Sequence, residues 1–527
     1  MLRRLQDTLV DTTQSIARLT AEYTTYTSHN VQGEYEGFDN FEAEASAPYV
    51  SPIPLNFGPR QHGFDLGLFS LYKGLPFFSP ECQRWVKLCT GESIDVNQLF
   101  HSQAEDYYPS CSVVLQSPGG LGTLPPRSEL DLCLRLFYST ELSRVFPVVE
   151  VTAIPVMVNA IYSETATVDI IACIYALITF ITGFTEGTSF SIDPQRCEAQ
   201  VRLLIPDLLL HSPTMASLQT MLLMALCQMT QGNIQAVYQF IAIAAGMLHG
   251  LGGNVPSESH VRTLFWVTYI LDKDLSLRTG RPPVICDDHY DLRLPSAYSE
   301  YTAHLPPTEQ PFWTDLRLSI IKSKAYTSLY SARALKSTDV GLIKAIRELG
   351  SELDEWRLML PVGHRPAYGE PSEYACKEIR WILIHLDFHR TVTLVYQASS
   401  RCTHWLENRR LGLGVQSCFD ICVAASRSSL LHLIKASQIQ LHDPNFWVVI
   451  VFPLSASISL FCNILLNPLG PEVTEDLDLM SRAPASIFQL STKRPSQNEL
   501  TQYHALVRFT TELSRLANRA IANAHGA

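Results

Sequence analysis

The chain has 527 residues, of which 46% are hydrophobic and 17% charged, and its formal net charge is −11. That composition can bury a large core and excludes a disordered polar chain. The acidic balance, with no basic run anywhere, argues against a DNA-binding surface, so contact with DNA would need a separate basic module.

In chain order, Leu2, Leu5, Leu9, Thr12, Ile16, Leu19 and Tyr23 form an a/d seam at alternating three- and four-residue steps. The seam predicts a coiled-coil-like helix over 1–23, which serves either dimerisation or packing on the body. Residues 24–63 are acidic and aromatic with no helical period, and read as a solvated linker rather than an activation segment. From 64 onward the text is helical and the fold class is all-α. Leu130, Leu132, Leu134 and Leu136 alternate like a strand, but leucine favours helix, so 129–140 is read as helix. Val168 to Thr182 is apolar throughout and predicts a buried helix.

Leu218, Leu222, Ala225 and Met229 share one face of a helix over 217–230, and Val237, Tyr238, Ile241, Ala244, Ala245 and Leu248 share one over 234–251. Gly232 and Asn233 make this pair a hairpin, and Gly250, Gly252 and Gly253 end its second arm. A third helix spans 260–277 before Gly280, Arg281, Pro282 and Pro283. Further helices are expected over 315–336, 339–359, 374–396, 415–436 and 446–466, then a polar loop over 467–497 and a last amphipathic helix over 498–524. The domain plan is a helix (1–23), a linker (24–63), a regulatory body (64–470), and a loop with a terminal helix packed on that body (471–527).

Phe446 to Leu466 carries no charge and is long enough for a bilayer, but its spaced serines (Ser455, Ser457, Ser459) and lack of flanking cations favour a core helix and no membrane. Thirteen scattered cysteines, none in a Cys-x2-Cys pair, and no apolar run after Met1–Arg4 point to a reducing compartment and to cysteines acting as small buried hydrophobes.

The constellations that carry chemistry are few. No phosphate-binding glycine pattern, P-loop or Gly-x-Ser-x-Gly elbow is present. His385 and His389 sit at i and i+4, as a zinc helix needs, but the glutamate of His-Glu-x-x-His is missing and no third ligand is signalled. Asp287-Asp288-His289-Tyr290-Asp291 matches the Asp-Asp-x-x-Asp run that holds magnesium in prenyl-diphosphate (terpenoid) enzymes, the alternative function. It lies between Gly280-Arg281-Pro282-Pro283 and Leu294-Pro295, which is loop text, and no second magnesium motif follows. No catalytic, cofactor-binding or metal-binding residue is assigned.

Arg262, Phe265-Trp266, Tyr269, Asp272, Ser276, Gly280-Arg281-Pro282 and the closing Leu294-Pro295 resemble the signature of the fungal-specific transcription factor domain, the middle regulatory region of binuclear zinc-cluster proteins. Looser similarity reaches from Leu75-Pro76 through Trp85 and Phe146-Pro147 to Trp356 and His389-Arg390. Two departures are Gly253-Asn254, where the family reads Leu-His, and Lys273, where arginine is frequent. The resemblance implies an RNA polymerase II regulator in the nucleus, acting as homodimer or heterodimer with a related factor, with the transcription machinery as partner. It leaves open a small-molecule effector. The family's DNA reader needs six cysteines around two zinc ions, and no cysteine precedes Cys82, so the chain reads as cut after its zinc cluster, with DNA reached only through a missing or partner-supplied module. Asp272 stands among Phe265, Trp266, Tyr269, Leu271 and Leu275 and needs a partner there. Arg281, just past the Gly280 turn, is the expected one.

Overall fold

The computed structural model describes residues 80–92, 124–140, 142–184, 192–231, 233–253, 260–295, 312–371, 379–402, 413–438, 449–490 and 497–526. The heptad over 1–23 and the linker over 24–63 lie outside them. Among the described residues there are sixteen α-helices, short 3-10 and π turns, and no strand, so the all-α reading holds. The helices are α1 (Pro80–Thr90), α2 (Arg127–Ser139), α3 (Leu142–Val145), α4 (Ile154–Tyr162), α5 (Val168–Phe184), α6 (Pro194–Leu210), α7 (Met215–Thr230) and α8 (Ile234–Gly250). They continue as α9 (His260–Thr279), α10 (Leu316–Ala325), α11 (Asp339–Met359), α12 (Ile379–Gln397), α13 (Leu413–Ser437), α14 (Val451–Leu466), α15 (Val473–Leu490) and α16 (Gln497–Gly526).

The centre follows from two helices that are apolar all round. In α5, Ala172 to Ile181 are buried without interruption, and in α7 Ala216 to Met229 are. Such helices have no solvent face and must sit inside. α5 packs against α6 and α7, and α7 against α8. The one-sided reading of 217–230 was therefore too narrow. Thr214 caps α7 by a reciprocal box with Ser217: the Ser217 N–H donates to Thr214 Oγ1 (3.1 Å) and the Thr214 N–H to Ser217 Oγ (2.9 Å). Gly252, at φ +72°, ends α8 in the left-handed conformation expected of that glycine cluster.

The apolar interior falls into two clusters. The larger joins α2–α9 to α14–α16 and includes Leu222, Trp266, Phe461 and Leu513. The smaller lies between α10, α11, α12 and the first half of α13, with Ile346, Trp356, Trp381 and Phe388. Charged and imidazole side chains lie among the helices that join the two.

Two expectations are corrected. Residues 315–336 are not one helix: α10 ends at Ala325, a π turn runs over Tyr326–Tyr330, and a 3-10 turn covers Ala334–Lys336. The break lets the Tyr330 hydroxyl donate to the Leu394 carbonyl of α12. Residues 467–497 are not a loop, because α15 fills most of them. Most of its polar residues form the outer face, while Leu479, Met480, Ala483 and Ile487 are buried. Asp476 is fully buried and is gripped by Arg427 of α13, whose Nε donates to Oδ1 (2.6 Å) and Nη2 to Oδ2 (2.9 Å). The uncharged stretch ahead of Leu466 is the core helix α14, buried along nearly its whole length. One helix among the described residues is long and apolar enough to cross a bilayer, Gly414–Ser437. It packs against α12, α14 and α15.

Candidate functional site

The signature residues are brought together by α9 and the segment that follows it. Gly280 adopts φ +70°, and its N–H bonds the Ser276 carbonyl at 2.8 Å, which closes the helix. The chain then turns back, and residues 284–293 run along α9 as a strap. Arg262, Phe265, Tyr269, Asp272 and Ser276 recur at steps of three and four, which places them on one edge of the helix. Four of those five residues touch the strap.

Asp272, 2% exposed, accepts the Val284 N–H on Oδ1 (2.7 Å) and the Ile285 N–H on Oδ2 (3.0 Å). Lys273, 1% exposed, lies 3.3 Å from Asp272 Oδ2 and 3.2 Å from Asp287 Oδ1, and donates to the Ile285 carbonyl. The Tyr269 hydroxyl donates to the Asp287 carboxylate at 3.2 Å. Tyr290 stacks on Phe265, with centroids 5.1 Å apart, and its hydroxyl bonds His249 Nε2 at 2.7 Å. Arg262 donates to the carbonyls of Asp291 and Arg293, the latter at 2.7 Å, while its guanidinium covers Phe265 and Trp266. Ser276 instead turns inward, its hydroxyl donating to the Asp272 carbonyl at 2.7 Å.

The pairing of Asp272 with Arg281 is not made. The Arg281 guanidinium lies over the Tyr238 ring, 5.2 Å from its centroid. Two backbone N–H groups already point at Asp272 from the strap, and the adjacent Lys273 supplies the cation. Burial pushes the Asp272 carboxyl above its ordinary value, against the pull of Lys273 and those N–H groups.

The Asp287–Asp291 run is part of this strap. Asp287–His289 is a single 3-10 turn, not one face of a long helix. Asp287 is occupied by Tyr269 and Lys273, and Asp291 binds the N–H and guanidinium of Arg293 (both 2.8 Å). Asp287 and Asp291 are thus held by different basic side chains, Lys273 and Arg293, and among the described residues no three His, Cys, Asp or Glu side chains converge to hold a metal.

The opposite face of α9 carries a second cluster that the sequence reading did not single out. Asp274 faces Arg278 Nε (2.5 Å), Lys322 of α10 (3.5 Å) and Arg390 of α12 (3.4 Å). Lys322 also pairs with Asp387 of α12, which accepts the Thr314 hydroxyl at 3.0 Å. Burial alone would raise the Asp274 carboxyl, but Arg278, Lys322 and Arg390 together hold it well below the usual carboxylate range. The same surroundings push Arg390 down to about 10, because burial outweighs the attraction of Asp274. The available signal was the run Asp272-Lys273-Asp274 inside an apolar helix: three consecutive charges cannot share one face, so at least two sides of α9 had to meet buried partners.

Residues 170–357 match the profile of the fungal specific transcription factor domain. The chain carries that domain. It runs from α5 into α11, contains the whole strap, and is shorter than the 64–470 over which the resemblance was drawn. The chain is 26% identical over 457 residues to an ABC-transporter-regulating transcription factor of Aspergillus oryzae, a match covering 77% of this chain and 50% of that protein. It is 25% identical over 293 residues to the fusaridione A cluster transcription factor of Fusarium heterosporum, covering 51% of this chain and 54% of that protein. A transcriptional regulatory protein of Schizosaccharomyces pombe is 28% identical over 252 residues, covering 46% and 32%. The matches thus take in about half the length of the Aspergillus and Fusarium relatives. No solved structure matches the chain at a significant level. Nothing in these comparisons supports the prenyl-diphosphate alternative.

Proposed function

We propose that the protein is a regulator of RNA polymerase II transcription whose helical body sets activity rather than reading DNA. The carrying observation is that the domain match coincides with a signature whose polar residues bind the chain's own strap. Arg262, Tyr269, Asp272 and Lys273 are spent on the strap, which is the work of a structural staple and not of an active site. The body is therefore read as non-enzymatic, with no cofactor of its own. The chain's net charge of −11 favours a separate basic module as the reader of DNA, in the same polypeptide or in a dimer partner. A nuclear location, dimerisation with itself or a related factor, and contact with the transcription machinery follow from that reading.

The test tethers the chain to an unrelated DNA-binding module above a reporter gene in a fungal host. The expected result is a change in reporter output relative to the module alone, lost in the Asp272→Asn variant. Output equal to the bare module, with the fusion present at normal level in the nucleus, would overturn the proposal.

A further inference from the structure

The His385/His389 pair is joined in the structure by two more imidazoles. His385 stacks on His432 of α13, with ring centroids 4.9 Å apart and planes 22° from parallel. His385 Nε2 bonds the carbonyl of His364, which sits in the 3-10 turn after α11, at 2.8 Å. His389 packs on Phe388 and lies 6.0 Å from the Tyr368 ring. His385, His389 and His432 are 1–2% exposed. Both ring nitrogens of His432, and Nδ1 of His389 and His364, are buried without a hydrogen-bond partner. A neutral imidazole tolerates such a site better than an imidazolium, which must place two N–H donors and a charge.

We propose that this cluster is a proton-operated latch, in which uncharged rings hold α12 against α13 and the 362–371 turn, and a proton taken from solvent forces them apart. The titratable and charged groups facing the rings among the described residues are the other imidazoles, Tyr368 and Lys435, whose ammonium donates to the Pro371 carbonyl. Among the described residues none of these is a carboxylate that could pair with an imidazolium. Burial pushes His385 down to about 4, His389 to about 3 and His432 well below its ordinary 6.5; the neighbouring imidazoles push the same way, as does Lys435 on His432. A base with a lowered folded value contributes its full stability above its unfolded value and loses it as pH falls below that value. The opening equilibrium therefore rises up to about tenfold per ring for each pH unit below about 6.5.

The latch is also connected. On α12 the two histidines alternate with Asp387 and Arg390, which project from the opposite face to Lys322 and Asp274. Release of α12 from α13 thus loosens the charged cluster behind the strap.

The experiment is hydrogen exchange of the whole chain at about pH 7 and about pH 5.5, corrected for intrinsic rates. Peptides from 379–397 and 413–437 are expected to gain exchange at the lower pH, while those from α5 and α7 do not. His432→Phe keeps the stack on His385 and removes both nitrogens, so it should cut the response by one ring's share, up to about tenfold per pH unit, and His389→Leu should do the same. Equal corrected exchange at the two pH values, or a gain spread evenly over α5 and α7, overturns the latch. So does a pH response in His432→Phe as large as that of the wild type. Should both variants fail to fold, the two-pH comparison of the unaltered chain decides alone.

Discussion

Replacing Asp272 by asparagine separates the observed staple from the simpler expectation of an Asp272–Arg281 pair. The asparagine keeps one oxygen for one strap N–H and turns an amide NH2 toward the other. One buried N–H then lacks an acceptor, a cost of about 1–3 kcal/mol. Lys273, at 1% exposure, loses its 3.3 Å partner and keeps Asp287 and the Ile285 carbonyl. Removing one member of a buried ion pair costs about 3–5 kcal/mol, a figure that already includes part of the first. Burial penalises the Asp272 charge, and asparagine relieves that penalty, so the lower end, about 3 kcal/mol, is the expected loss. Arg281→Gln removes a guanidinium from the half-buried Tyr238 ring, a contact that contributes about 0.5–1 kcal/mol. Urea unfolding followed by circular dichroism at unchanged slope measures both. A loss below about 1 kcal/mol for Asp272→Asn, or an equal loss for Arg281→Gln, would refute the strap as the source of the signature.

Further expectations concern other parts of the molecule. Asp476→Asn removes the charge and one of the two acceptors of a two-pronged Arg427 contact whose carboxylate is fully buried, and should cost about 3–5 kcal/mol, seen as early proteolytic cleavage ahead of α15 as well as in urea. Asp287→Asn should lower the melting temperature through Tyr269 and Lys273, and magnesium should shift the melting of neither form; a magnesium-dependent rise in the wild type, lost in the variant, would restore the prenyl-diphosphate reading. Acid should act in two stages. The lowered histidines lose stability as pH falls below about 6.5, with a slope of up to about 1.4 kcal/mol per unit per ring. Asp274, also lowered, contributes stability above its unfolded value of 3.8 and loses it only as pH falls below that. Asp274→Asn should therefore weaken the fold at neutral pH and flatten only the second stage in a pH series of urea midpoints.

The helices were legible where apolar spacing or glycine punctuation is local. The 217–251 hairpin, the stop at Gly280 and the 339–359 helix were read within about two residues, because caps and C-terminal glycines carry their own geometry. α15 was missed because its signal is split. Thr474, Glu475, Asp478 and Arg482 look like loop text until Leu479, Met480, Ala483 and Ile487 find a face to cover. The break after Ala325 was missed for a related reason: a π turn has no composition of its own, and it arises where Tyr326 and Tyr330 reach the carbonyls of Gly280 and Leu394. For the site, the signature residues were found but their partners were not. Backbone acceptors and donors such as Asp291, Arg293, Val284 and Ile285 are invisible to residue type, and His432 lies 43 positions beyond His389.

The arrangement of α9 also explains why so many polar residues persist inside it. Its strap edge carries Arg262, Tyr269 and Asp272, and the opposite side carries Asp274 and Arg278. A helix held by apolar contact alone can rotate or slide at small cost, because one leucine replaces another. Here a one-residue slip turns each side chain by about 100° and would leave charges at 272, 273, 274 and 278 facing hydrocarbon at once. Buried ion pairs add little net stability relative to a well-packed apolar core, but they make the wrong registers costly. Lys273 fits that logic. Its single ammonium reaches two carboxylates and a carbonyl in a site 1% exposed, whereas the wider planar guanidinium of an arginine there would need the strap to stand further off. Lys273→Arg should thus cost stability despite conserving charge, and the same urea series reads it directly: a midpoint equal to the wild type would show that the strap tolerates the larger head group.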